Sequence, residues 1–393
     1  MQHSPARKRV TPFWRDERFL QALGQAIFLL AILSFGMLII NNMRTGLQKQ
    51  GMTLGFSFLS GIAGFDIAEL PIVYSRTSSY LQAYTVGLLN TLLVSGIGII
   101  FSTILGVILG VARLSKNFLV NRLAALYLEL MRNMSLLVFL IFWYQGLFLK
   151  LPRIKDAIVW FDSIYWTNRG IGVPWGIPTA SYPTFQLILL SGIFLALIIY
   201  FSLQAYANRT GRAPLSLLWS TLAFVIVAAL GWLIMPVKPL EISIPFAKGL
   251  NLSGGKIFTP EFMALTSGLV LYTAAFIGEV VRSGILAVSH GQVEAARALG
   301  LNGFQTLRLV VFPQALRVIV PPLTSQYLNL TKNSSLAVAI GYPDMFYVSS
   351  TIINQSGRAV EMIAMVMLTY LTFSLVTSLF MNWYNAKIKL VER

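Results

Sequence analysis

The sequence contains no cysteine and only two histidines, His3 and His290. The absence of cysteine excludes disulfide scaffolds, thiolate zinc sites, iron–sulfur clusters and cysteine nucleophiles. Two histidines so far apart in the chain provide no cluster that could bind a metal or supply a general base. We therefore expect no metal site and no covalent catalysis in this chain, which argues against an enzyme.

Charged residues are also scarce. They make up 11% of the 393 residues, whereas an ordinary soluble domain has about 25%. The hydrophobic fraction is 56%, and 30 Lys and Arg residues against 14 Asp and Glu residues give a formal net charge of +16. A basic chain could bind nucleic acid, but basic loops in so apolar a sequence are typical of membrane proteins that face an anionic lipid surface. The composition therefore predicts an integral membrane protein.

Long uncharged stretches predict about eight transmembrane helices, because a bilayer core about 30 Å thick needs roughly 20 apolar residues in helical form. We place them at about 20–40, 84–112, 123–148, 185–205, 215–235, 262–278 with a continuation past residue 282, 318–340 and 362–383. The seventh is the most polar of these spans. Gly106 and Gly110 in the second span form a small-xxx-small pair, which predicts close packing against a neighbouring helix. The expected fold is an all-α integral membrane domain.

Loop charges predict the orientation of these spans. If the N-terminus is inside, Lys and Arg are more than twice as dense in the inner segments as in the outer ones, as the positive-inside rule requires. An even number of spans then places both termini in the cytoplasm. The outer segments 44–83 and 149–184 are long and rich in aromatic residues. We expect them to form short helices along the outer interface or a docking surface for a partner.

The segment between the sixth and seventh spans predicts a helix–turn–helix on the cytoplasmic face. Ala, Leu, Glu and Arg residues before Gly300 favour a short helix, and Gly300 is placed to end it in the left-handed conformation. A second short helix should stop before Pro313. Small side chains at Ala295 and Ala296 would let a partner approach closely, and Glu294 could fix its register. From these residues alone, partner docking and an ordinary cytoplasmic hairpin are equally good interpretations.

The spacing of these residues resembles the EAA loop of ABC importer permeases. Glu294, Ala295, Ala296, Gly300 and Pro313 fall at the family's positions. Flanking stretches resemble the polar-amino-acid (histidine/glutamine type) branch of that family, at residues 127–137, 272–285, 314–317 and 329–337. Within the first stretch, a serine at position 135 replaces that branch's usual proline. The long outer insertions and extra helices further resemble the Q-type subunit of general L-amino-acid permeases.

This resemblance implies a type I ABC importer transmembrane domain over residues 84–393, with an outer insertion at about 149–184 and a cytoplasmic EAA coupling loop at about 286–317. Residues 1–83 would be an N-terminal tail, a first transmembrane helix and an outer insertion. The implied function is ATP-driven import of L-amino acids from the periplasm through the bacterial inner membrane. The implied partners are a cytoplasmic ATPase, a second and different permease subunit, and a periplasmic amino-acid-binding protein.

ATP and Mg are expected on the partner ATPase, and this chain is expected to bind no cofactor. The nearest phosphate-loop pattern ends at Lys256, but Leu250 replaces its first glycine and Ile257 replaces its Ser or Thr. An alternative function is an ion-gradient-driven secondary amino acid transporter or channel. That class favours an inverted repeat and several intramembrane carboxylates, and neither is visible in this sequence.

Lys332 is the most informative single residue inside a predicted span, because an intramembrane cation costs about 2.5–3.5 kcal/mol on insertion scales. It could lie with Asn333, Ser334 and Ser335 on the translocation path, at a gate or near a substrate carboxylate. Alternatively, the prolines shorten this helix and Lys332 reaches the interface by snorkelling.

Two carboxylate–arginine pairs occur at i,i+3 spacing near the predicted cytoplasmic ends of spans three and six. They are Glu129 with Arg132 and Glu279 with Arg282. This spacing allows each pair to form an ion pair on its own helix. A structural role and a role in gating or coupling are both open, and coupling carries more weight at Glu279 because the EAA loop follows it.

Overall fold

The structure, a computed structural model, describes residues 17–49, 55–211 and 215–388. The predicted cytoplasmic termini involve residues 1–16 and 389–393, which lie outside the described residues. Helices account for most of the described chain, as the composition predicts. They are α1 (Glu17–Lys49), α2 (Tyr80–Ala112), α3 (Phe118–Asn133), α4 (Leu136–Gly146), α5 (Tyr182–Thr210), α6 (Ser216–Ile234), α7 (Pro260–Leu286), α8 (His290–Ala298), α9 (Gly303–Thr306), α10 (Phe312–Asn333), α11 (Met345–Ser356) and α12 (Ala359–Ile388).

Among the described residues, seven helical segments are long and apolar enough to cross a membrane, and the bent pair α3–α4 makes an eighth if it counts as one span. The predicted spans are therefore present, including the polar seventh one. The segment Gly303–Ile340 passes the same test.

α7 lies at the centre of the helical bundle and packs most extensively against α2. A Cβ atom added at Gly106 of α2 would lie 2.6 Å from Ile277 Cβ, and one added at Gly110 would lie 2.7 Å from the Gly278 carbonyl oxygen. Glycine lets the two helices approach this closely because it has no side chain to separate them. The predicted packing role of Gly106 and Gly110 is confirmed.

The third predicted span, at about 123–148, is present as two helices with a sharp bend between them. The axes of the two halves, α3 and α4, differ by 107°. Met134 and Ser135 separate the halves with ψ angles of 142° and 128°, an extended backbone through which no helix can continue. The break forms although Ser135 is not proline. After the bend, the side chains of Leu136, Phe139 and Leu140 on α4 are buried in the same hydrophobic core as the first residues of α7.

Residues 303–340 form one continuous helical segment. The prediction that the second loop helix stops before Pro313 was therefore wrong. Between α9 and α10, residues Leu307–Val311 form a π-helical turn. The Phe312 N–H donates to the Leu307 carbonyl, five residues back. This wider turn accommodates Pro313, which has no N–H to donate. After α10, residues Ser334–Ile340 tighten into a 3₁₀ helix.

The segments that join α4 to α5 and α6 to α7 form β-strands, so the expectation of short helices in 149–184 was wrong for most of that segment. The strands are β1 (Ile158–Trp160), β2 (Ile164–Thr167), β3 (Gly170–Val173), β4 (Trp175–Pro178), β5 (Leu240–Ser243), β6 (Phe246–Lys248), β7 (Asn251–Ser253) and β8 (Lys256–Phe258). β1, β2, β3 and β8 make an antiparallel sheet in that order, while β4 pairs with β5 and β6 with β7. We call β1–β8 the cap.

The cap sits on the ends of α4 and α7. Ile171 of β3 is buried in the same cluster as Phe148 and Phe262, and Phe258 of β8 stacks on Phe262 with ring centroids 5.3 Å apart. The α5–α6 hairpin, which leaves and re-enters the cap, packs mainly on itself. The cap therefore closes one end of the bundle, and α8 lies at the opposite end of α7.

Candidate functional site

The predicted helix–turn–helix between the sixth and seventh spans is present as α8, a turn and α9. Glu294 and Ala295 are exposed on α8, whereas Ala296 is buried where α8 packs on α9 and the π-helical turn. The Glu294 carboxylate lies 2.9 Å from His290 Nδ1, one turn earlier on the same face. Pro313 is exposed at the start of α10. Ala295 is thus the alanine available to a partner, and Ala296 packs within the loop.

The turn at Gly300 has a defined geometry. Gly300 adopts φ +79°, as predicted for a left-handed helix terminator. Its N–H donates to the Arg297 carbonyl at 2.9 Å, and the Leu301 N–H donates to the Ala296 carbonyl at 3.2 Å. These two bonds are the pair that defines a Schellman motif. The backbone therefore fixes the angle between α8 and the segment that follows.

The second helix begins with a matching cap. The Asn302 side chain accepts from the Gln305 N–H at 2.9 Å, and the Gln305 side chain accepts from the Asn302 N–H at 3.0 Å. Gln314 of α10 also donates to the Gln292 side chain of α8 at 3.3 Å. Reciprocal capping of this kind satisfies backbone donors that a helix start would otherwise leave open. Hydrogen bonds therefore fix the loop both at the Gly300 turn and where α10 meets α8.

Two exposed apolar residues in this loop were not singled out by the sequence analysis. Leu299 is 82% exposed beside the turn, and Phe304 is 70% exposed on α9. Apolar side chains that flank a rigid turn this openly are typical of an interaction site. In the sequence, the available signal was Leu299 directly before Gly300 and Phe304 directly after Gly303.

At the end of α7 nearest this loop, Glu279 pairs with Arg282 as predicted. Arg282 Nη2 lies 2.6 Å from Glu279 Oε1, and the Nε atom lies 3.1 Å from both carboxylate oxygens. The predicted pair of Glu129 with Arg132 is not formed. Arg132 Nη1 instead lies 3.7 Å from Glu279 Oε2, across the contact between α3 and α7. Glu129 is exposed on α3 and forms no ion pair with any residue that the structure describes.

Lys332 is exposed near the end of α10 and forms no ion pair with any residue that the structure describes. Its neighbours differ in environment. Ser334 is fully buried and donates to the Thr331 carbonyl at 2.8 Å, whereas Ser335 donates to the Lys332 carbonyl at 2.7 Å. Asn333 is half-buried. Of the four predicted path residues, Lys332 alone offers an exposed charge.

Tyr370 of α12 was missed by the sequence analysis. Its hydroxyl is buried without a hydrogen-bond partner in the described residues and lies beside Ser334 and Ser335. A tyrosine among the aliphatic residues of the last span was the available signal. Among the described residues, no group of three or more His, Cys, Asp or Glu side chains could bind a metal ion.

Residues 102–390 match the protein family described as the inner membrane component of binding-protein-dependent transport systems. This match spans every helix from the second half of α2 to the last turns of α12, with the α8–α9 loop inside it. The chain belongs to this family. It is a multi-pass inner membrane protein, and the resemblance stated from the EAA spacing is confirmed.

Several relatives align with nearly the whole chain. It is 42% identical to the general L-amino acid transport system permease protein AapQ of Rhizobium johnstonii, over 96% of this chain and 94% of that protein. It is 43% identical to the putative amino-acid ABC transporter permease protein YhdX of Escherichia coli, over 94% of each chain. It is 40% identical to the glutamate/glutamine/aspartate/asparagine transport system permease protein BztB of Rhodobacter capsulatus, over 96% of each.

Among solved structures, the chain is similar to a crystal structure of an amino acid ABC transporter with histidines. The sequence identity is 18%, the TM-score is 0.47, and the match covers 78% of this chain and 95% of that one.

Proposed function

We propose that this chain is the permease subunit of an ATP-driven ABC importer that moves L-amino acids from the periplasm to the cytoplasm. Residues 84–393 form the transport domain in this proposal, and residues 1–83 extend it at the N-terminus. The family match and the amino acid permeases among its relatives support the class of transporter and of substrate. ATP and Mg are bound by a separate ATPase, and this chain binds no cofactor.

The observation that carries the proposal is the exposed, rigid loop of α8 and α9. Its Schellman turn and capping box fix the backbone, while Leu299 and Phe304 project from it. A rigid element with apolar anchors can transmit a rigid-body displacement from a bound ATPase to other helices. α7 and α10 would receive it, because α7 directly precedes the loop in the chain and α10 directly follows it. Glu294, Ala295 and Gly300 form the ATPase-coupling surface, with Ala296 and Pro313 fixing its base.

Lys332 marks the translocation path or its gate in this proposal. An exposed ammonium group inside a span is unfavourable against lipid, so it should face a second permease subunit or an aqueous path. A second, different permease subunit would complete the path that one chain cannot enclose. Glu279, Arg282 and Arg132 would then join the cytoplasmic ends of the helices that move, whereas Glu129 stays outside this network.

The test is reconstitution of the chain in proteoliposomes with its ATPase, second permease and amino-acid-binding protein. We expect uptake of L-amino acids that requires ATP hydrolysis and the binding protein. Uptake driven by an ion gradient in the absence of ATP would contradict the proposal and favour a secondary transporter.

Coupling can be isolated with two glycines in the same loop. Gly300 and Gly303 are both exposed, and neither has a neighbour that an added Cβ would meet, but only Gly300 has a positive φ. Gly300→Val should therefore distort the turn and reduce both uptake and binding-protein-stimulated ATP hydrolysis. Gly303→Val should leave both rates near the unmodified level. Equal coupling in the two variants would refute the role given to the loop.

A further inference from the structure

The cap carries a strained hairpin with a large apolar residue at its tip. β1 and β2 are joined through Phe161, Asp162 and Ser163, and the first two have φ angles of +51° and +52°. The Ser163 N–H donates to the Trp160 carbonyl at 3.2 Å and closes the turn. Positive φ at both central positions is the pattern of a type I′ turn, which glycine and asparagine normally occupy. Phe161 is nevertheless 89% exposed. The fold holds a phenylalanine in an unfavourable conformation and displays it.

The strand that leads to this tip is also apolar and unpaired on one side. β1 is the edge of its sheet, and its residues Ile158, Val159 and Trp160 are all exposed. An open sheet edge is not tolerated in hydrocarbon, because its backbone N–H and C=O groups would have no partner. An apolar edge in water is a template for pairing with another chain. These two constraints favour a water-soluble protein, rather than the bilayer, as the occupant of this edge.

A cationic cleft lies next to the same hairpin. It has a volume of about 380 Å³, and Arg153, Lys155 and Arg169 line it together with Asp156. The cap segments 149–181 and 235–259 contain seven Lys and Arg residues against three Asp and Glu residues. The cleft therefore complements an acidic side chain on a partner.

The cap and the coupling loop lie at opposite ends of α7, which has 27 residues and a length of about 40 Å at 1.5 Å per residue. If the α8–α9 loop faces the cytoplasm, the cap faces the periplasm. We propose that the β1–β2 hairpin and the adjacent cleft are a docking surface for the soluble amino-acid-binding protein. Phe161 is the apolar anchor, and Arg153, Lys155 and Arg169 receive acidic groups at the rim of the partner. This inference rests on the proposed function, because that function supplies the binding protein.

The experiment uses the complete reconstituted transporter in nanodiscs and the amino-acid-binding protein that stimulates its ATP hydrolysis. Phe161→Ser and Arg169→Glu should each weaken binding of that protein about tenfold or more, as loss of an interface anchor does. Basal ATP hydrolysis without the binding protein should be unchanged, because the cap is far from the coupling loop. Phe118→Ser, at a similarly exposed aromatic residue at the start of α3, and Lys116→Glu, at an exposed cation of the α2–α3 turn, should bind normally.

A fluorescent label can distinguish a protein partner from lipid. Because the chain has no cysteine, Ser163→Cys introduces a labelling site beside the tip that is unique in this chain, and the chain is labelled before it is assembled with its partners. The fluorescence of a label at this position should change when the binding protein is added, and nitroxide-bearing lipids should not quench it. Quenching by those lipids without a response to the binding protein would place the hairpin in the membrane and overturn the proposal.

A wrong docking surface and a wrong proposed function give different results in these experiments. If the unmodified complex is stimulated by its binding protein but Phe161→Ser and Arg169→Glu bind it as well as Phe118→Ser does, the docking surface is wrong and the importer stands. If no binding protein stimulates the unmodified complex, the proposed function itself is wrong.

Discussion

Arg132 of α3 pairs with Glu279 of α7, although Glu129 lies one turn away on its own helix. The Nη1–Oε2 distance is 3.7 Å, and the same carboxylate accepts three shorter bonds from Arg282. One carboxylate thus neutralises two guanidinium groups that belong to different helices. This ion pair links α3, the first half of the bent third span, to α7, close to the end of α7 at which the coupling loop begins.

Glu279→Gln should therefore destabilise the protein, because it leaves the partly buried Arg282 and the more exposed Arg132 without a carboxylate. We expect a loss of about 1.5–3 kcal/mol, the range for a hydrogen bond to a charged group. Glu129→Gln is the matched control at an exposed carboxylate of α3 that forms no ion pair with the described residues, and its effect should stay within about 0.5 kcal/mol. Thermal unfolding of the purified chain in detergent measures both. Equal effects would show that Glu279 has no special place in this contact.

The contact between α2 and α7 allows a second comparison within one helix. Gly106→Ala would place its Cβ 2.6 Å from Ile277 Cβ, so the helices must separate, at a cost of about 1–3 kcal/mol for overpacking. Gly96→Ala, on the same helix, meets no atom within 4 Å and should be neutral or stabilising by up to about 1 kcal/mol. Thermal unfolding in detergent again separates the two. A neutral Gly106→Ala would mean that the helices do not pack as closely as these distances require.

Much of the helical framework could be predicted because membrane spans are local features, each visible as a long uncharged stretch. The Gly300 turn was predictable for the same reason, since one residue determines it. The cap was not, because β3 pairs with β8 through Gly172 and Ile257, on opposite sides of the α5–α6 hairpin. The partner of Arg132 was missed because Glu279 is near it only after folding. The break at Ser135 has no marked local sequence signal.

Asp344 should make stability depend on pH near neutrality. It caps the start of α11 outside the spans, and its Oδ2 atom is buried without a hydrogen-bond partner in the described residues. Burial raises the pKa of Asp344 from its ordinary 3.8 to about 7, and backbone N–H groups of α11 oppose that rise only in part. The fold therefore favours the neutral acid. The stabilisation that the neutral Asp344 gives the fold is fully present below the pKa of this carboxyl in the unfolded chain. It is lost as the pH rises through the pKa of the same carboxyl in the folded protein.

The unmodified protein should lose about 2–3 kcal/mol of stability between pH 5 and pH 8, since each pKa unit in that window corresponds to about 1.4 kcal/mol. Asp344→Asn cannot ionise and should remove most of this loss in unfolding measurements. Asp66→Asn is the control. The Arg76 guanidinium beside Asp66 holds the pKa of that carboxyl below its ordinary value, so its contribution is lost only in more acidic solution. A decline that persists in Asp344→Asn would contradict the assignment.

Two substitutions of Lys332 test whether its charge takes part in transport or whether the side chain is only structural. Lys332→Met keeps much of the apolar stem but removes the charge, so transport should fall at least tenfold if the ammonium group faces the path. Lys332→Arg keeps the charge and should retain part of the activity, although the planar guanidinium differs in geometry. Lys116→Met, at an exposed cation of the α2–α3 turn, should transport normally. Uptake and ATP hydrolysis are measured together in proteoliposomes, with assembly of the complex checked by size-exclusion chromatography. If Lys332→Met assembles and transports at the unmodified rate, Lys332 only snorkels to the interface and is not part of the path.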